Sequence, residues 1–251
     1  MSFLPTEGKV ECVTGDLGGG KSALAVWRAF LHLERGGVVY TNIEVWPDKV
    51  AERLLESGLE FDRSRLRSLP TDSLVDFQKL IERGSAGMPV MILLDEAQFD
   101  FTASEKTAWE NKLIQFLALA RKLRLYIVFI CHNMAELKIG IRRKITVETV
   151  CRNLKEERIG GIPFPIPFYF TVSFKVLMGV SRHRIDSDWF WKLPAWGLYN
   201  SYALLGDKAM EYAALPVAST GRLKRVPQDH SSYAYAASAA VAAIVTTFLF
   251  Q

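Results

Sequence analysis

Two rhythms of apolar and polar positions run through the first two thirds of the chain. Val10 to Thr14, Val38 to Thr41, Val90 to Leu94 and Leu125 to Cys131 are short apolar runs, the form expected of strands covered on both faces. Between them lie segments with helical spacing: Ser22 to Leu33, Asp48 to Ser57, Asp72 to Arg83 and Ser104 to Lys122. In the last of these, Trp109, Leu113, Phe116, Leu117 and Ala120 share one helical face, which reads as core. Gly36-Gly37 closes the first helix, and Thr71 or Asp72 is placed to cap the third. Strands alternating with helices predict βαβ units and therefore an α/β fold, a mostly parallel sheet flanked by helices.

The pattern then changes. Lys155 to Phe168 is turn-rich, with Gly160-Gly161 and Pro163, Pro165 and Pro167, and marks a subdomain edge. Phe168 to Leu177 alternates as a strand does, and Trp189, Phe190, Trp191 and Trp196 are expected to form a small second core. From Ala234 to Phe250 no charged residue occurs. That run is just long enough to cross roughly 30 Å of hydrocarbon as a helix. Arg222, Lys224 and Arg225 lie upstream and Tyr233 and Tyr235 at its edge, as on the cytoplasmic side of a membrane. Its alanine-rich, leucine-poor content leaves a helix buried in a core or an oligomer interface as the alternative. The expected division is 1–150 for the α/β core, 151–230 for a smaller C-terminal extension of the cytoplasmic domain, and 231–251 for a candidate transmembrane helix.

Composition narrows the class without naming it. The chain has 251 residues, 49% of them hydrophobic and 23% charged, enough for one α/β domain with an appendage. A net charge of +4 without a long basic run permits nucleic-acid binding but does not indicate it. Cys12, Cys131 and Cys151 are scattered and form no metal-binding spacing, so buried reduced thiols are expected. Met1 to Lys9 lacks the basic and apolar regions of a secretory signal, so the bulk of the chain is expected in the cytoplasm.

Candidate chemistry begins at Gly15-Asp16-Leu17-Gly18-Gly19-Gly20-Lys21-Ser22, which fits the phosphate-loop pattern between a strand and a helix. Glycines let successive N–H groups and the helix N-terminus point at one anionic cluster. Lys21 is then expected to reach the β- and γ-phosphates of ATP, and the Ser22 hydroxyl to ligate Mg²⁺. A second signal is the strand Val90 to Leu94 ending in Asp95-Glu96-Ala97-Gln98, a Walker B arrangement. Asp95 holds Mg²⁺ directly or through water in this reading, and Glu96 is the general base for the attacking water. The structural alternative for the pair is two acids capping the next helix.

Three further groups carry two readings each. His132, at the tip of the strand ending in Cys131, is a γ-phosphate sensor or a plain loop histidine. The basic helix end Arg121-Lys122-Leu123-Arg124 is functional or simply complements a helix C-terminus. Arg142 and Arg143 are an arginine finger for a neighbouring subunit or a solvated basic patch.

These motifs together resemble the zonula occludens toxin family, which includes the gene I assembly proteins of filamentous phages. The resemblance rests on the phosphate loop at Gly15 to Ser22, on Asp95 to Gln98, and on a basic helix end and sensor strand to which Arg121 and His132 correspond. It rests also on Gly197-Leu198-Tyr199-Asn200-Ser201 ahead of the membrane helix. Family members usually carry an amide where this chain has His132. The resemblance implies a membrane-anchored, ring-forming P-loop ATPase of the host inner membrane, single-pass with its N-terminal domain in the cytoplasm. ATP and Mg²⁺ would be its cofactors, Lys21, Asp95, Glu96, His132 and Arg121 its catalytic set, and phage DNA and coat protein its clients. A genome-packaging ATPase of a membrane-containing phage is the alternative, and a nucleotide-dependent switch or kinase a third reading.

Overall fold

The computed structural model describes residues 5, 7–69, 82–97, 108–154, 158–159, 162–163, 168–177, 181–191, 195 and 197–200. Strand β1 (Lys9–Thr14) leads through the glycine loop into helix α1 (Lys21–Glu34), then β2 (Val39–Thr41), α2 (Pro47–Glu56) and β3 (Leu66–Ser68). Next come β4 (Val90–Leu94), helix α3 (Ala108–Ala118), the short α4 (Ala120–Leu123), β5 (Leu125–Ile130), α5 (Ile139–Arg142) and β6 (Val147–Asn153). The two-residue strands β7 (Arg158–Ile159) and β8 (Ile162–Pro163) pair only with each other, and the chain then forms the hairpin of β9 (Phe168–Leu177) and β10 (Ser181–Trp191). The predicted strands and the helices over α1, α2 and α3–α4 are present to within a few residues. The expected helix over Asp72 to Arg83 lies mostly outside the described residues, as does the whole of 231–251. Among the described residues no helix is long and apolar enough to cross a membrane.

The main sheet has the order β10-β9-β6-β1-β5-β4-β2-β3. β6 through β3 are mutually parallel, and β9 and β10 add on antiparallel at one side. The expected boundary at residue 150 therefore falls inside β6, and the β9–β10 hairpin extends the same sheet. The ladder of β6 with β9, from Val147↔Lys175 to Asn153↔Tyr169, leaves no seam there.

Each apolar run is split by the two-residue period of a strand into two cores. Ile92 and Leu94 of β4 and Ile127 and Phe129 of β5 face α3 through Leu113, Phe116 and Leu117. Met91, Leu93, Val128 and Ile130 face α1 and α2 through Leu24, Leu33, Val50 and Leu54. Covering both faces is what permits strands with no polar side. The three cysteines are free and buried as expected, Cys12 Sγ lying 3.3 Å from Cys131 Sγ across β1 and β5. Of the expected aromatic second core, the side chains of Phe190, Trp191 and Trp196 lie outside the described residues; the Trp189 ring packs on Phe170 with centroids 4.9 Å apart and is 57% exposed on the outermost strand.

A buried carboxylate interrupts the apolar run of β1. Glu11 of β1 is 1% exposed, pairs with Arg28 of α1, and accepts from Tyr126 Oη at 2.6 Å and Thr149 Oγ1 at 2.6 Å, with Lys9 Nζ at 3.1 Å. Burial pushes its carboxyl up, but Arg28, Lys9 and the two hydroxyls outweigh that and hold it well below the usual carboxylate range. The cluster ties α1 to three adjacent strands, β6, β1 and β5, directly beneath the glycine loop.

Candidate active site

The glycine loop leaves β1 at the C-terminal edge of the parallel strands, where α/β sheets place their ligand crevice. Its backbone is built for close approach. Gly15 takes φ +144°, and a Cβ there would meet the Cys151 carbonyl at 2.3 Å. Gly20 takes φ +88°, and a Cβ would meet the Tyr169 ring at 2.3 Å. Only glycine fits either place. Gly20 is also the N-cap of α1, with no side-chain cap and no acidic residue in the first turn. The helix therefore turns its free N–H groups and positive dipole end toward the loop.

Lys21 Nζ donates to Gly15 O at 2.8 Å and Asp16 O at 3.0 Å, and sits 3.2 Å from His132 Nδ1. An ammonium can only donate, so Lys21 is the donor in each of these contacts. The Gly15 N–H in turn donates to His132 O at 3.2 Å, which fastens the loop to the tip of β5.

β5 lies between β1 and the Walker B strand β4, yet the acid at the tip of β4 still meets the loop. Ser22 Oγ donates to Asp95 Oδ2 at 2.8 Å. Adjacent ligands of an octahedral Mg²⁺ with bonds of 2.0–2.1 Å stand roughly 3 Å apart, so these two oxygens fit a shared hard cation. Among the described residues no group of three or more His, Cys, Asp or Glu side chains is placed to hold a metal ion. Burial pushes the Asp95 carboxyl up, against the opposing Ser22 hydrogen bond.

Glu96 comes next with φ 53°, a left-handed backbone uncommon for a residue with a side chain. Its N–H donates to Asp95 Oδ1 at 2.9 Å. Strain of this kind, of order 1–3 kcal/mol, collects at functional sites. Here it turns Glu96 into the same pocket as Lys21, Ser22, Asp95 and His132, a cavity of about 280 Å³.

Arg121 is not brought to this pocket. It sits before β5, at the opposite edge of the sheet, 80% exposed and 3.3 Å from Glu7 Oε2. β1 has six residues, so roughly 20 Å of strand separate the two edges. Arg142 and Arg143 do not line the pocket either, and their helix α5 precedes β6 toward that same far edge.

In and beside the pocket lie residues that the sequence reading assigned no role. Asn42, just beyond β2, clasps Asp95 by two bonds: its Nδ2 donates to Asp95 O at 3.0 Å, and Asp95 N donates to its Oδ1 at 2.7 Å. Tyr169 of β9 presses on Gly20, and Tyr199 and Asn200 come from the Gly-Leu-Tyr-Asn-Ser element. The signal available for Asn42 was its position at the tip of a parallel strand. Tyr199 belongs to the Gly197–Ser201 element on which the family resemblance partly rests, though no role was assigned to it; nothing in the local pattern around Tyr169 pointed to it.

A family model described as Zonular occludens toxin (Zot) matches residues 9–204. The chain belongs to this family. Among solved structures it is similar to the N-terminal domain of zonular occludens toxin from Neisseria meningitidis, at 15% identity over 77% of this chain and 100% of that one, with a TM-score of 0.47. It is also similar to the genome packaging NTPase B204 of Sulfolobus turreted icosahedral virus 2 in complex with ATP-gammaS, at 12% identity over 59% of this chain and 75% of that one, TM-score 0.37. The RadB recombinase matches at 14% identity over 69% and 90% of the two chains, TM-score 0.46. No curated protein matches the chain. In this Zot-family chain the phosphate loop and the Walker B acid thus occur in one pocket on an α/β, mostly parallel sheet.

Proposed function

We propose that this Zot-family protein is a membrane-anchored ATPase whose hydrolysis of ATP drives assembly and extrusion of filamentous phage through the host inner membrane. The observation that carries the enzymatic part is the 2.8 Å bond between Ser22 and Asp95, which joins the two halves of a nucleotide site from distant parts of the chain. Mg²⁺ held by that pair would neutralise charge on the phosphates. The loop N–H groups and Lys21 position the triphosphate, and Glu96 takes the proton of the attacking water. His132, within reach of Lys21, responds to the terminal phosphate.

Two features favour a head-to-tail ring. The pocket opens at one edge of the sheet, while Arg121 and Arg124 are exposed at the other. Stacking protomers edge to edge brings one subunit's Arg121 to the next subunit's nucleotide, an arginine finger in trans. The segment 231–251 is the anchor of this reading, single-pass with the N-terminal domain in the cytoplasm, and phage DNA and coat protein are the clients.

The test of placement is fractionation of infected cells. Full-length protein is expected in the inner membrane, and a variant lacking residues 234–251 in the soluble fraction. Full-length protein in the soluble fraction refutes the anchor, and protein carried in virions favours a packaging motor instead.

A further inference from the structure

Tyr199 reaches the nucleotide pocket by an arrangement that spans three parts of the chain. The segment Leu198 to Asn200 pairs antiparallel with the stretch between β2 and α2: Trp46 N donates to Leu198 O at 2.8 Å, Asn200 N donates to Glu44 O at 2.9 Å, and Val45 bridges Tyr199. Side chains reinforce the pairing, since Asn200 Nδ2 donates to Glu44 Oε2 at 2.7 Å and Leu198 is 2% exposed in the core shared with α1. The stretch it pairs with begins at Asn42, the residue that clasps Asp95. The strap is thus fixed at both ends of a short span, and it sets the Tyr199 ring in the wall of the phosphate pocket with Asp95 and Glu96.

The chemistry of that wall asks for a neutral donor. Asp95 and Glu96 already bring two carboxylates to the place where the terminal phosphate arrives, and further negative charge would repel it. A phenol offers one O–H and no charge. Burial, together with Asp95 and then Tyr169, pushes the Tyr199 phenol up to about 12, so it stays protonated and able to donate at any physiological pH. It shares the pocket wall with Asp95 and Glu96, the acids that mark the terminal-phosphate side in this reading.

We propose that Tyr199 donates a hydrogen bond to the terminal phosphate of the bound nucleotide, so that the Gly-Leu-Tyr-Asn-Ser strap distinguishes a triphosphate from a diphosphate. This rests on the nucleotide-site reading above. It gives the chain beyond residue 200 a direct mechanical link to the state of the nucleotide, through one side chain.

Binding measures it without recourse to turnover. Titrate the full-length protein and its Tyr199→Phe variant with a non-hydrolysable ATP analogue and with ADP, with Mg²⁺ present and absent. The phenylalanine keeps the ring and the packing, and unchanged thermal unfolding checks this. Triphosphate affinity is expected to fall about ten- to hundredfold, the loss for a hydrogen bond to a charged group, with ADP affinity unchanged. Equal losses for both nucleotides, or no loss for either, overturn the proposal. Lys21→Ala measured alongside separates the two failures: triphosphate binding that survives it refutes the pocket itself, and the tyrosine's role with it.

Discussion

At the scale of single residues the site is a set of groups held in tension with their surroundings. Lys21 binds backbone carbonyls and His132 and must leave them to meet phosphate. Lys21→Ala is expected to abolish ATP turnover with the thermal unfolding curve intact, since the lysine carries no core packing. Glu96→Gln is expected to bind ATP normally and hydrolyse it about 10²–10⁴-fold more slowly in single-turnover assays. Asp95 behaves differently because burial raises its pKa in the folded state. An acid so raised keeps its full stability below the unfolded value and loses it as pH rises through the folded value. At neutral pH without nucleotide, Asp95→Asn should therefore unfold at a higher temperature than the parent, while losing the stabilisation that Mg²⁺ and ATP confer. His32 has the opposite sign. Burial lowers its imidazole to about 4, so stability is present above about 6.5 and lost as pH falls toward 4. Urea titrations of His32→Gln across that window should show a flatter acid decline.

At the scale of elements, the phosphate loop is positioned from below and from the side. The buried Glu11–Arg28 pair fastens α1 to β1 under the loop. Breaking such a pair by removing one partner leaves an uncompensated charge, so Arg28→Met is expected to cost about 3–5 kcal/mol in urea unfolding. Replacing both partners with apolar residues should recover much of that loss. From the side, β9 sets Tyr169 against Gly20. The strands, α1, α2 and the motifs at their tips were legible because periodicity and glycine placement are local. The hairpin's role against the loop was not, because it depends on β9 pairing with β6.

For the whole molecule, the two edges of the sheet carry different chemistry, the phosphate-loop pocket at one and an exposed arginine at the other. Arg121→Ala is expected to bind nucleotide as the parent does and to lose about 10³-fold in turnover. Mixing it with Lys21→Ala protomers should restore part of the activity, because each variant keeps the half-site the other lacks. Absence of complementation at any mixing ratio would count against a shared site. By itself the sequence determined the alternation of strands and helices, the phosphate loop, the Asp95-Glu96 strand tip and membership of a recognisable family, all of them encoded in spacing along the chain. Only the tertiary structure decided that β5 separates β1 from β4 while Ser22 still reaches Asp95, that Arg121 stands at the far edge, that Asn42 clasps Asp95, and that Tyr169 and Tyr199 wall the pocket. Those outcomes depend on strand order and on pairings between segments up to about 150 residues apart in the chain, as with Val45 and Tyr199, which no local periodicity records.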